Sequence, residues 1–105
     1  MRATAAIYPH IFKNGDHAAR LVRMPRIRVA QIVMDHLAHG WSAEEICRQH
    51  AYLTPAEAHA AMLYYWDHKE EIDREIEDEW RQAEREAAEV VPPPAILRLR
   101  ASRHS

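Results

Sequence analysis

Apolar and polar positions change their period near residue 30 of this 105-residue chain. Before that point the pattern is short and alternating. Ile7-Tyr8-Pro9-His10-Ile11-Phe12 leads to the turn signal Asn14-Gly15-Asp16, and Arg26, Ile27, Arg28 and Val29 alternate polar with apolar. Strict alternation is the signature of a half-exposed strand. The spacing therefore predicts one or two short strands around turns over residues 5–29. Pro25 places them at a sheet edge, because proline cannot donate to a central ladder. An edge this small needs a partner, and a second copy of the chain is the expected one.

From Ala30 the period is helical. Ile32, Val33, Leu37 and Ala38 share one face, and Gly40 stands where a left-handed cap closes a helix. Ser42, three residues before Glu45, predicts the start of a second, short helix that buries Ile46 and Cys47. Thr54-Pro55-Ala56-Glu57 is a stronger start: an N-cap, a proline at the first helical position and an acid to close the box. No breaker follows before Pro92-Pro93-Pro94, so a third helix of roughly 35 residues, about 50 Å, is expected. Its first half, with Ala58, Ala61, Met62, Tyr65 and Trp66, can pack on the shorter helices. Its second half carries Ile72, Ile76, Trp80, Ala83 and Ala87 along one stripe, which suits a partner helix. Glu70 before Arg74 and Glu77 before Arg81 are favourable four-residue ion pairs.

The expected organisation is thus a mainly α chain. Residues 1–29 form an N-terminal β arm. Residues 30–91 form a three-helix helix-turn-helix domain with a long third helix, its turn pinned by Ile46 and Leu53. Residues 92–105 form an extended tail, because three prolines favour a polyproline-like stem. Ile96, Leu97, Arg98, Leu99 and Arg100 mix apolar and basic character, as a segment that orders on a partner does.

Charge divides the same way. Residues 1–40 carry six Lys/Arg against two Asp/Glu, residues 41–91 five against fourteen, and residues 92–105 three against none. Nucleic-acid contact is therefore expected at the ends, not the acidic middle. Arg20, Arg23, Arg26 and Arg28 are the DNA-binding candidates: if two chains pair, a two-stranded ribbon presents Arg26 and Arg28 of each copy to a major groove, the alternative being an edge strand whose charges discourage sticking. The start of the third helix is a poor reader by comparison, having no Arg or Lys between Thr54 and Lys69 where phosphate neutralisation would need them. Ile72, Ile76, Trp80, Ile96, Leu97, Arg98, Leu99 and Arg100 are the protein-partner candidates.

No catalytic site and no cofactor is expected. The chain has no glycine-rich phosphate loop and no nucleophile elbow, and its acids fall on solvated helix faces. No run approaches a membrane span and the N-terminus lacks a signal-peptide core, so a cytoplasmic protein is expected. A minor reading remains: His36-x-x-His39 facing Cys47-x-x-His50 offers four possible zinc ligands. Those spacings are common by chance, and Cys47, the single cysteine, fits the buried face of its helix as a small apolar residue.

Tyr8-Pro9-His10-Ile11, Arg26-Ile27-Arg28-Val29, Gly40-Trp41-Ser42-Ala43-Glu44-Glu45-Ile46, Leu53-Thr54-Pro55-Ala56-Glu57 and the run from Ala60 to Asp73 together resemble the bacterial "domain of unknown function 433" family. The resemblance covers about residues 8–75. It implies a homeodomain-like helix-turn-helix and an antitoxin of the VapB type, dimeric, bound to its operator DNA and covering a PIN-like ribonuclease toxin. The family has glycines before the Arg-Ile-Arg-Val segment, whereas this chain has His17-Ala18-Ala19-Arg20-Leu21-Val22-Arg23-Met24. A protein-interaction module with no DNA role is the alternative that the acidic third helix supports.

Overall fold

A computed structural model describes residues 8–87 and 91–103. Among these, two short strands, β1 (Ile11–Phe12) and β2 (Arg20–Leu21), precede five helices. The helices are α1 (Val29–His39), α2 (Ala43–Gln49), α3 (Pro55–Asp67), α4 (Lys69–Glu86) and α5 (Pro94–Arg103). The strands pair antiparallel, with Ile11 opposite Leu21 and Phe12 opposite Arg20. Gly15 lies in the connection with φ +53°, a backbone region that a side chain disfavours.

The helix boundaries follow the local chemistry. Gly40 closes α1 in the left-handed region, its N–H donating to His36 O at 2.7 Å. Ser42 Oγ accepts from Glu45 N at the start of α2. Thr54 and Glu57 exchange backbone-to-side-chain bonds of 3.1 and 3.0 Å, a complete capping box ahead of Pro55. Ile46 and Leu53 are buried on either side of the turn between α2 and α3.

α1 is the hub, packed against α2, α3, α4 and α5. Its Val29, Ile32 and Val33 share one buried cluster with Leu21, Ile46, Tyr65, Ile72, Ile76, Ile96 and Leu99. At about 1.5–3 kcal/mol for each fully buried aliphatic side chain, this cluster is what joins the arm, the helices and the tail.

Three expectations need correction. Arg26 to Val29 is not a strand. Ile27 N donates to Met24 O in a turn, Arg28 makes one isolated bridge to Arg20, and Val29 already begins α1. Gln31 Oε1 accepts from Arg28 N at 2.8 Å and stabilises that start. Two alternating apolar residues cannot distinguish a strand from a turn that feeds a helix.

The single third helix is two helices, broken at His68, where φ is −128° and ψ is 43°. The chain has no proline or glycine there; Tyr8 of the arm reaches the break, donating to Asp67 at 2.8 Å and meeting the His68 ring edge-on at 5.5 Å between centroids. The His68 N–H is shared between Tyr64 O and Tyr65 O, and its ring stacks on Tyr64 with 4.2 Å between centroids. The Tyr65 hydroxyl donates across the break to Asp73 at 2.8 Å, and the Tyr64 hydroxyl donates to Glu71. Burial pushes both phenols up from their ordinary pKa, so both remain hydrogen-bond donors.

Nor is the tail extended. Pro94 occupies the first helical position of α5, where a missing N–H costs nothing. Ala95, Ile96 and Leu99, spaced by one and three, are buried as α5 packs on α1 and α4. Residues 5–7 of the expected arm and Val90 fall outside the described residues.

Candidate binding surface

The four arginines of the arm have separate fates. Arg23 forks onto Glu57, with Nε and Nη2 at 2.9 and 2.7 Å from the carboxylate oxygens, and Nη2 also donates to Tyr52 O. Glu57 is only 2% exposed. The bonds from Arg23 and from the Thr54 backbone hold its carboxyl down at about 2 despite burial. Arg28 bridges Glu75 at 2.6 Å and Glu79 at 2.7 Å, acids one turn apart on α4. Arg20 donates to Pro25 O at 3.0 Å. Arg26 is exposed and unpaired among the described residues. Three of the four therefore build the protein. Glu75 and Glu79, one turn apart, were the sequence signal for a basic partner, and that partner lies in the same chain.

The residues expected to meet a protein partner are mostly inside. Ile72, Ile76, Ile96 and Leu99 are buried within the chain, and Trp80 is half-buried against the same cluster. Arg100 donates to Glu77 Oε2 at 2.6 Å, and Arg81 Nε lies 3.3 Å from the same oxygen. The Arg100 bond, with Arg81 beside it, holds the Glu77 carboxyl below the usual carboxylate range. Arg98 donates to Leu37 O at 3.2 Å, near the C-terminal end of α1, where a cation also suits the helix dipole. Leu97 alone of this set is an exposed large hydrophobic. The possible zinc ligands separate as well. His36 Nδ1 donates to Trp41 O, His39 stacks on Trp41, His50 Nε2 donates to Asp35, and Cys47 Sγ donates to Leu53 O. No cluster of three possible metal ligands occurs among the described residues.

What the pattern along the chain did not reveal is the open face of α3. Ala56, His59, Leu63 and Trp66 follow one another at steps of three and four, and all are exposed. Leu63 is 51% and Trp66 56% exposed. Trp66 had been expected to pack on the short helices. An edge contact with the His36 ring, 5.7 Å between centroids, ties it to α1. No cation lies on this stripe, and Glu44 of α2 reaches His59 at its upper end. Such a surface suits an apolar protein side chain and repels a phosphate backbone.

These features define a mainly helical chain with a short two-stranded hairpin at its N-terminal side. Residues 20–65, from β2 nearly to the end of α3, match the family described as "Protein of unknown function (DUF433)", and over that span the chain is similar to it. No curated protein and no solved structure matches significantly. No helix among the described residues is long and apolar enough to cross a membrane.

Proposed function

We propose that this chain is a binding protein of the antitoxin kind, which neutralises a PIN-like ribonuclease toxin by docking it on the open face of α3. The toxin class is what the family resemblance implies. The observation that carries the docking role is the exposed Leu63–Trp66 pair, an apolar stripe without cations on a helix otherwise packed into the core. In this reading α1 to α3 act as a helix-turn-helix body, and α3 is a protein-binding helix. The function is association alone, with no reaction.

A second reading adds operator DNA. Among the described residues Arg26 has no carboxylate to neutralise it, and Arg20 meets only a carbonyl. In a dimer these would supply four cations to a duplex, with a correspondingly salt-sensitive affinity.

The test is co-expression with the product of the adjacent reading frame, provided that product has the acidic residues of a PIN-like nuclease. A stable complex in light scattering, with RNA cleavage suppressed, is expected; Leu63→Glu with Trp66→Glu should abolish both. A nuclease that ignores the wild-type chain overturns the antitoxin reading. A gel shift on the upstream DNA tests the second reading, and an Arg20→Ala, Arg26→Ala chain that shifts as well as wild type removes it.

A further inference from the structure

The loop between β2 and α1 forms a cavity of about 570 Å³ with the α2–α3 turn, lined by Met24, Pro25, Arg26, Ile27 and Tyr52. Its size lies within the range of ligand sites. The neighbouring arginines fix its walls. Arg20 holds the Pro25 carbonyl, and Arg23 holds the Tyr52 carbonyl while anchored on buried Glu57. The Ile27 N–H closes a turn onto Met24 O, and the Leu21 N–H donates to Ile27 O. The pocket is therefore preformed, and binding need not order it. Its lining is apolar except for the Tyr52 hydroxyl and one charged side chain, Arg26, whose guanidinium is exposed and unpaired among the described residues.

We infer that this pocket is a docking site for a protein segment that places a bulky apolar side chain beside a single Asp or Glu. The apolar side chain fills the space between Met24, Ile27 and Tyr52, and its neighbouring carboxylate pairs with Arg26. Charge complementarity selects this occupant. An unpaired guanidinium at an apolar mouth matches one carboxylate. A nucleic acid would bring a row of phosphates to Arg26 and the carbonyl-bound Arg20, the cations here without a carboxylate among the described residues, with buried Glu57 behind the Tyr52 wall. Residues 1–7 of this chain contain Arg2 and no acid, so they lack the group that Arg26 selects. None of the lining residues belongs to the α3 stripe, so the pocket and the toxin-docking face are separate surfaces.

An amide proton–nitrogen shift titration of the full chain tests this. The probe is the acetylated peptide Ser-Gly-Phe-Glu-Gly-Ser, compared with its Phe→Ala and Glu→Gln counterparts and with a short random duplex DNA. Saturable shifts centred on the amides of Met24, Arg26, Ile27 and Tyr52 are expected. Arg26→Ala and the Glu→Gln peptide should each weaken binding about tenfold, and combining them should add little, because both remove one ion pair. Arg26 is exposed, so the variant keeps its fold, which the unchanged dispersion of the other amides verifies. A Leu63→Glu chain should bind the peptide normally, so loss of the toxin and loss of the peptide are separate results. The inference is overturned if the peptide gives no saturable shift, or if the Ala or Gln counterpart binds equally. Duplex DNA saturating the same amides, or Arg26→Ala converting a dimer to a monomer, also overturns it.

Discussion

Helices α3 and α4 each carry an apolar stripe that the spacing along the chain leaves without an assigned cover, and the two stripes end differently. On α4, Ile72 and Ile76 are buried, because α1 packs on that helix and α5 folds back to place Ile96 and Leu99 in the same cluster. Arg100 then locks α5 onto Glu77. On α3, Leu63 and Trp66 remain open to solvent. Spacing alone made the α4 stripe look like the partner-binding one. The difference shows that a stripe marks a face to be covered without saying which chain covers it. The unused stripe, after the chain's own segments are placed, is the informative one.

The sharpest way to break the comparison is to remove the cover. Ending the chain after Pro93 deletes α5, re-exposes the α4 stripe and leaves the Glu77 carboxylate without Arg100. Two lost aliphatic burials and the loosened acid should cost about 4 kcal/mol or more. Urea unfolding with helix content as the readout checks this. A truncated chain that unfolds at the wild-type midpoint would show that α5 does not stabilise the body. Leu99→Ala should give a graded version, about 2–5 kcal/mol, since Leu99 is fully buried.

The arm is fastened to α3 as α5 is to α4, by arginine on buried glutamate, and acid should loosen both. Glu57 has its pKa lowered from 4.5 to about 2 in the folded chain. A depressed carboxylate contributes stability that is fully present above the unfolded value and lost as pH falls through the folded one. For Glu57 that window runs from about pH 4.5 to about 2, and the loss is about 3 kcal/mol. Glu77, shifted in the same direction, adds to the loss. Glu57→Gln should therefore be about 2–3 kcal/mol less stable at neutral pH and show a shallower acid slope than wild type. Melting curves of both chains across that pH range decide it; parallel slopes would mean that Glu57 is not held by Arg23.

Much of the fold was legible wherever a signal was local. The Gly40 cap, the Ser42 and Thr54 starts and the Ile46–Leu53 turn depend on neighbours within a few residues, and all are present. The misread elements depend on contacts far along the chain. The long helix breaks at His68 beside Tyr8 of the arm, which donates to Asp67 59 positions away and meets the His68 ring edge-on, although no local breaker is present. The tail is helical because α1 and α4 offer it an apolar groove, which outweighs the polyproline tendency of residues 92–94. The arm's arginines looked free because their acids lie 34 to 51 positions away. Arg26 and the α3 stripe were visible as residues; their isolation required the fold.

The smallest expected effect falls on the stripe that stays open. Leu63→Ser removes a side chain already half in water, so stability should change by no more than about 0.5 kcal/mol. Trp66→Ser should cost slightly more, because its ring also packs edge-on against His36. If the stripe exists for association, these mild substitutions should weaken toxin binding by at least about tenfold, as loss of a buried interface anchor does. Melting temperature and binding affinity measured on the same variants separate the two roles. A large fall in melting temperature would mean that α3 buries this face within the chain, as α4 does, and the contrast between the helices would disappear. Wild-type affinity in both variants would move the docking site off α3.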